Sequence, residues 1–216
     1  MVNVVAIDGP AGVGKSTVAR DAATKLEFTY IDTGAMYRAL TLKVIQSGID
    51  IDDEAQVSEV VTKAEIRIDG PRIFLDGEDV STAIRSGKVT MNVPRVSMHP
   101  SVRATLLSKQ RAFSGEAKGV VMEGRDIGTV VFPNAKWKFF LDADPEVRAR
   151  RRHAEFEQAG KKKKFEWVMS DLVKRDKEDR ERPVSPLIQA SDAVLLDTST
   201  LDIDEVVSTI VKAVQD

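Results

Sequence analysis

The sequence of 216 residues contains no cysteine and two histidines, His99 and His153. These absences exclude disulfides, thiolate nucleophiles, and zinc sites built on sulfur or on clustered histidines. Any chemistry must therefore come from carboxylates, lysines, arginines and the backbone. The chain also lacks a long uncharged apolar run, and Asp8 interrupts the apolar residues near its start. We therefore expect a cytoplasmic protein that does not bind membranes.

Neither sign of charge dominates the chain, because 32 basic and 34 acidic residues leave a net charge of −2. Without a basic excess, a general electrostatic binder of nucleic acid is disfavoured. The content of 42% hydrophobic and 31% charged residues is typical of a globular protein. The length fits one domain that carries small insertions.

Short apolar runs alternate with helical patterns along the chain. The predicted strands are residues 2–7, 28–32, 120–123, 137–142 and 193–197. A first helix is predicted from Lys15 onward, where apolar residues recur at helical spacing as far as Leu26. The other predicted helices are residues 35–47, 54–63, 100–113, 145–159, 166–181 and 203–214. This alternation predicts an α/β fold with a parallel sheet. Residues 65–75 do not follow this alternation of strands and helices. Two segments in which side-chain polarity alternates with a period of two flank Asp69-Gly70-Pro71, and this pattern predicts an antiparallel hairpin outside the main sheet.

One motif points directly to phosphate binding. Residues 9–16, GPAGVGKS, match the P-loop pattern G-x-x-x-x-G-K-[ST] between a predicted strand and a predicted helix. Backbone N–H groups of such a loop hold phosphates, Lys15 supplies a charge to them, and Ser16 offers a hydroxyl to Mg²⁺. A plain glycine-rich turn is the less favoured interpretation. The predicted ATP-binding residues here are Gly9, Pro10, Ala11, Gly12, Val13, Gly14, Lys15, Ser16 and Thr17.

The arginines help to decide among the classes of P-loop protein. No Asn/Thr-Lys-x-Asp sequence is present to select guanine, which disfavours a switch GTPase. Transfer between two polyanions needs several positive groups near the moving phosphoryl. Arg38 and Arg125 follow predicted strands, where ligands of α/β sheets bind. Charges of alternating sign in residues 174–182 are also explained by ion pairs along a helix.

Six blocks in order resemble the bacterial cytidylate kinase family, whose members are ATP-dependent nucleoside monophosphate kinases. They span nearly the whole chain: IDGPAGVGKST, DTGAMYRA, LDGEDVSTAIRS, VRATLLSKQRAF, EGRDIGTVVFPNAKWKFFLDA, and RDKEDRERPVSPL with LLDTSTL. The resemblance implies a three-layer P-loop kinase fold with a five-stranded parallel sheet. It implies a core of residues 1–33 and 100–216, a nucleoside monophosphate (NMP)-binding insertion of residues 34–99 with the hairpin at 65–75, and a lid of residues 148–165.

The same resemblance implies transfer of the γ-phosphoryl of ATP to CMP or dCMP with Mg²⁺. The acceptor phosphate would be bound by Thr33, Arg38, Arg125 and Arg182. Arg103 and Asp126 would read the cytosine edge, while Arg175 and Asp179 would contact the sugar. The residues expected to act in catalysis are Lys15, Arg125, Arg182 and Arg152.

Two positions depart from the family pattern. Pro94 stands where the family has a small hydroxyl residue that helps to bind the base, and proline offers no donor. Either Ser97 or Asn92 substitutes for that residue, or Arg103 and Asp126 hold the base together with water. Glu123 stands where an aspartate is expected, and we assign it a role toward Mg²⁺ through water. In the lid, Arg148 and Arg152 lie four apart on one helix face and are predicted to contact the triphosphate.

Two alternatives remain open from the sequence. The chain could be a P-loop kinase for another nucleoside monophosphate or a small metabolite. It could instead be a nucleotide-dependent switch or binding module without an acceptor. We expect a monomer whose partners are small-molecule substrates, and the preference between CMP and dCMP is not determined by the motifs.

Overall fold

The computed structural model describes residues 3–113 and 118–216, so position 2 of the first predicted strand lies outside the described residues. The strands in these ranges are β1 (Asn3–Asp8), β2 (Thr29–Asp32), β3 (Ile66–Asp69), β4 (Arg72–Leu75), β5 (Glu78–Asp79), β6 (Gly119–Gly124), β7 (Trp137–Asp142) and β8 (Val194–Asp197). The α-helices are α1 (Lys15–Leu26), α2 (Thr33–Gln46), α3 (Glu54–Lys63), α4 (Gly87–Met98), α5 (Pro100–Ala112), α6 (Pro145–Gln158), α7 (Phe165–Glu181) and α8 (Ile203–Gln215).

The main sheet has five strands in the order β2-β6-β1-β7-β8, which confirms the predicted five-stranded α/β fold. Strand β1 lies at its centre and pairs in parallel with both β6 and β7. Strands of this kind are covered on both faces, and β6 is accordingly buried along its whole length. The sheet therefore places the carboxyl ends of β1, β6 and β7 along one edge.

A hydrophobic cluster between the sheet and two helices fixes the position of the first loop. It includes Val5 and Ile7 of β1, Val18 and Ala22 of α1, and Ile210 of α8, all at most 2% exposed. The apolar residues of α1 recur at helical spacing, so one face of the helix packs against the sheet. This packing holds both flanks of the loop between β1 and α1.

The chain divides into two compact units. We call Met1–Tyr30 with Ala117–Asp216 the P-loop unit, and Ile31–Glu116 the insertion unit. The insertion unit contains helices α2 to α5 and a separate antiparallel sheet in the order β3-β4-β5. The predicted hairpin is confirmed as β3 and β4, and the short strand β5 is an addition that the sequence analysis did not predict.

Helix α4 was not predicted, because Pro94 within it is a strong signal against a helix. A proline removes one backbone donor, and the helix forms nonetheless around the fully buried Val96 and Val89. A π-helical turn at Ile127–Val131 was not predicted either, since no sequence pattern marks it. No helix in the described ranges is long and apolar enough to cross a membrane.

Candidate active site

The loop between β1 and α1 has the backbone that its glycines permit. Gly14 caps the N-terminus of α1 with φ of 88°, a left-handed conformation that favours glycine. Gly9 has φ of 150°, and a Cβ atom there would lie 2.1 Å from the carbonyl oxygen of Leu141 in β7. The first glycine of the motif is thus required by the neighbouring strand as well as by the turn.

The carbonyl groups of the loop are engaged by side chains of the P-loop unit. Lys15 Nζ donates to the Pro10 carbonyl at 2.5 Å. Arg148 Nη1 donates to the Ala11 carbonyl at 3.2 Å, and Thr198 Oγ1 donates to the Val13 carbonyl at 3.2 Å. These contacts satisfy loop acceptors, so the N–H groups at the start of α1 are the polar groups that the loop offers to an anion.

Lys15 is buried, with 6% of its surface exposed. Burial is the main reason that the pKa of Lys15 falls from its ordinary value of 10.5 to about 7, and the charge of Arg125 lowers it further. The carboxylates of Glu123, Asp179 and Asp8 act in the opposite direction. An anionic phosphate at the loop would favour the charged amine, because it supplies the opposite charge that the buried group needs.

Ser16 and Glu123 are the two predicted oxygen ligands of a hard cation. Ser16 lies in the first turn of α1 and is exposed, whereas Glu123 is buried at the end of β6 and accepts a hydrogen bond from Tyr30 Oη at 2.7 Å. A hydroxyl and a carboxylate suit Mg²⁺, which takes few protein ligands and shares the rest with phosphates and water. No group of three or more His or acidic side chains that could hold a metal ion occurs in residues 3–113 and 118–216.

A chain of ion pairs links residues that follow β6 to the end of α7. Arg125 Nε donates to Asp179 Oδ2 at 2.8 Å, and Asp179 Oδ1 lies 3.5 Å from Arg182 Nη1. Arg182 Nη2 lies 3.8 Å from Asp126 Oδ2, and its Nε donates to the Ser185 carbonyl at 2.5 Å. Four of the predicted CMP-binding residues are therefore together within the P-loop unit. Asp179 bridges two guanidinium groups, a contact that the sequence did not indicate.

The insertion unit holds three other predicted CMP-binding residues. Thr33 is the buried first residue of α2, and Arg38 one turn later donates from Nη1 to Thr90 Oγ1 at 3.0 Å. Arg103 of α5 is 7% exposed, and its Nη1 donates to Tyr37 Oη at 3.3 Å. The Arg103 guanidinium carbon also lies 5.5 Å from the centre of the Tyr37 ring. Tyr37 thus orients Arg103, a role the sequence analysis missed.

Pro94 lacks the side-chain hydroxyl expected at its position, and the contacts of nearby polar side chains show how each of them is used. Ser97 Oγ donates to the Pro94 carbonyl at 3.0 Å, and Asn92 Nδ2 donates to the Lys88 carbonyl at 2.9 Å, so both side chains bond the backbone of their own helix. Thr90, one turn before Pro94, is the hydroxyl of α4 that contacts Arg38. Sequence reasoning did not consider Thr90.

The two arginines of the predicted lid have different surroundings. Arg148 is 3% exposed, and besides the loop carbonyl it contacts the Ala143 carbonyl at 3.0 Å and Asp176 Oδ2 at 2.7 Å. The Arg152 side chain is 33% exposed and pairs with Glu155 at 2.5 Å. Contact of either residue with ATP stays a prediction. Arg175, predicted to contact the sugar, pairs with Asp171 along α7 at 3.0 Å.

Three residues that support the site were not identified from the sequence. Thr198 follows β8 and bonds the loop, Asp176 pairs with Arg148, and Asp8 accepts two backbone hydrogen bonds from the residues after Asp126. For Asp8 a signal was present, because a carboxylate at the end of a central buried strand needs partners. The other two contacts join distant parts of the chain, and no local pattern marks them.

Comparison with known proteins agrees with this geometry. A family model described as cytidylate kinase matches residues 5–216. The chain is 51% identical to a cytidylate kinase of Caldanaerobacter subterraneus over 100% of this chain and 97% of that protein, and 45% identical to one of Bacillus subtilis over 98% and 96%. An uncharacterized protein of Eubacterium ventriosum has a similar fold, with a TM-score of 0.56 at 13% identity over 100% of this chain and 99% of that structure. With a P-loop, a buried lysine and linked arginines in place, and with these matches over its length, the chain belongs to the cytidylate kinase family.

Proposed function

We propose that this protein transfers the γ-phosphoryl group of ATP to CMP or dCMP, giving ADP and CDP or dCDP. The observation that carries the proposal is the buried Lys15 at the P-loop, in the same unit as Arg125 and Arg182, which are linked through Asp179. Membership of the cytidylate kinase family supports the same reaction. The reaction is an in-line displacement and needs no covalent enzyme intermediate.

Each charged group has a defined task in this proposal. The P-loop N–H groups and Lys15 bind the triphosphate, and Lys15 stabilises the charge that builds on the transferred group. Arg125, Arg182 and Arg38 bind the dianionic acceptor phosphate, for which guanidinium groups give paired hydrogen bonds. Arg103 and Asp126 supply one donor and one acceptor to the cytosine edge, and Arg175 and Asp179 contact the sugar.

Mg²⁺ fits the oxygen donors of Ser16 and Glu123, which would hold it directly and through water. When bound with ATP it neutralises phosphate charge. Thr33 would assist the acceptor phosphate through its hydroxyl, and we assign residues 34–99 to acceptor binding. Arg148 and Arg152, in the segment 148–165, are proposed to act on the ATP side, where a segment that covers the triphosphate excludes water.

A coupled assay that follows ADP tests the proposal. With ATP and Mg²⁺ present, CMP, dCMP, UMP, AMP and shikimate are each supplied as acceptor, with EDTA as the control for the metal. We expect ADP release that requires CMP or dCMP and stops with EDTA. Faster turnover of AMP or shikimate than of CMP would assign another acceptor. Slow ADP formation that no acceptor stimulates would indicate a switch or binding module.

A further inference from the structure

Asp8, the last residue of β1, is 5% exposed and uses both of its carboxylate oxygens. Oδ1 accepts from the Ile127 N–H at 2.8 Å, and Oδ2 accepts from the Gly128 N–H at 2.7 Å. These N–H groups belong to the first two residues of the π-helical turn, and such first N–H groups have no acceptor within a helix. One buried carboxylate therefore caps the turn with two hydrogen bonds.

The turn follows directly on Arg125 and Asp126. Strand β6 is fixed up to Gly124, which pairs in register with Asp8 itself. From Ile127 onward the chain is fixed by the Asp8 carboxylate. Arg125 and Asp126 are the two residues between these anchors, so the direction of their side chains depends on where Asp8 holds the turn.

The fit around Asp8 leaves little room for adjustment. A Cβ atom on Gly128 would lie 3.4 Å from Asp8 Oδ2 and 3.2 Å from Cδ of Lys138. Burial raises the pKa of Asp8 to about 6, against the hydrogen bonds from Gly128 and Ile127, which lower it. A buried carboxyl group with a raised pKa, next to residues that are proposed to bind substrate, is typical of functional sites.

We infer that Asp8 is a positioning residue for the acceptor: its carboxylate, bonded to the N–H groups of Ile127 and Gly128, aims Arg125 and Asp126 at CMP. This inference rests on the proposed function, in which those two residues bind the acceptor phosphate and the base. In this inference Asp8 binds neither substrate directly. It acts through the backbone of the turn.

The test compares Asp8→Asn with Asp202→Asn in the intact protein. The first substitution keeps the shape of the side chain but leaves one oxygen, and the new amide faces an N–H group instead of accepting from it. We expect the KM for CMP to rise about 10- to 100-fold, with the KM for ATP nearly unchanged. Asp202 also caps a helix in the P-loop unit, and asparagine is as good as aspartate at that kind of position, so Asp202→Asn should alter neither KM.

Asp8→Glu gives a second measurement if Asp8→Asn fails to fold. It keeps two carboxylate oxygens on a longer stem, and we expect a smaller rise in the same KM. A double variant with Arg125→Ala separates positioning from stability: because Asp8 acts partly through Arg125, Asp8→Asn should raise the KM for CMP less in that background than in the wild-type protein.

Four outcomes would overturn the inference. Loss of folded protein in both Asp8 variants, with both KM values unchanged for the folded remainder, means that Asp8 is structural only. Equal rises in the KM for ATP and for CMP also contradict it. If the wild-type protein phosphorylates CMP and the Asp8 variants match Asp202→Asn, the inference fails and the proposed function stands. If the wild-type protein accepts no CMP or dCMP, both fail together.

Discussion

The P-loop unit and the insertion unit hold their charges in different surroundings. Among the described residues, the P-loop unit buries the charged side chains of Asp8, Lys15, Glu123, Asp126, Lys138 and Arg148, whereas the insertion unit buries Arg103. Most ion pairs of the insertion unit, such as Lys43 with Asp76, are partly exposed. Burial makes each charge depend on its neighbours, while exposed pairs are screened by water. We therefore expect the buried charges, most of which lie in the P-loop unit, to include those that bind substrate, and the exposed pairs mainly to connect elements of the fold.

The largest effect should follow the loss of the buried amine. We expect Lys15→Ala to lower kcat by roughly 10²- to 10³-fold, because the transferred phosphoryl loses a preorganised positive charge. Circular dichroism should show an intact fold, because the hydrogen bond that Lys15 Nζ donates goes to the neutral Pro10 carbonyl and not to a carboxylate. The matched control is Lys43→Ala in the insertion unit, and near-normal turnover of Lys15→Ala would contradict the comparison.

Within the described part of the insertion unit Arg103 is the buried charged side chain, and it tests whether burial there also marks a substrate contact. We expect Arg103→Ala to raise the KM for CMP by about 10-fold or more, because a charged donor to the base is lost. The KM for ATP should change little. Arg95→Ala removes an exposed arginine of the same unit, which pairs with Asp52, and should alter neither value. Equal losses for both substrates would place Arg103 outside the base site.

The pKa of Lys15 predicts that ATP binding takes up protons. With a pKa of about 7, the amine is half charged at pH 7 and mostly neutral at pH 8 in the absence of ATP. Phosphate charge raises that pKa, so binding should draw in about half a proton at pH 7 and more at pH 8. Below pH 6 the amine is already charged and the uptake should vanish.

Calorimetry in two buffers of different ionisation enthalpy measures this uptake. The apparent heat of ATP binding should depend on the buffer at pH 8 and become less dependent as the pH falls to 6. An apparent heat that is the same in both buffers at pH 8 would mean that Lys15 keeps its proton without ATP. In that case the buried Lys15 would keep its proton near neutral pH just as an exposed lysine does.

The smallest effect is expected at an exposed pair. Lys43 Nζ lies 2.6 Å from Asp76 Oδ2, and both side chains are about one-third exposed. We expect Lys43→Ala to lower the free energy of unfolding by less than about 1 kcal/mol, measured by urea denaturation. A loss several times larger would show that this pair fixes the insertion unit and would weaken the contrast drawn above.

Local patterns were sufficient to predict most of the fold. The five strands of the main sheet and seven of the described α-helices follow from apolar runs and helical spacing, and the bounds differ by a few residues at most. Helix α4 was missed because the local signal of Pro94 was outweighed by burial of Val89 and Val96. The π-helical turn depends on Asp8, more than a hundred residues earlier, and is invisible to any local pattern.

The candidate site likewise has one part that local sequence patterns predict and another part that they do not. The motif GPAGVGKS identifies the phosphate loop, because the glycines and Lys15 are adjacent in sequence. The residues that hold this loop from outside, such as Thr198 and Arg148, come from far along the chain. Asp179 was assigned to the sugar, and its contacts with Arg125 and Arg182 required coordinates.

The glycines of the P-loop are constrained for different reasons, and mutagenesis libraries should separate them. At Gly9 any side chain would collide with the backbone of β7, so a library screened only for soluble expression should already be depleted of variants there. At Gly14 nothing lies within 4 Å of an added Cβ, and asparagine, which tolerates positive φ, should survive the same screen. Invariance of a glycine in such a loop can therefore record the crowding of a neighbouring strand, quite apart from any nucleotide.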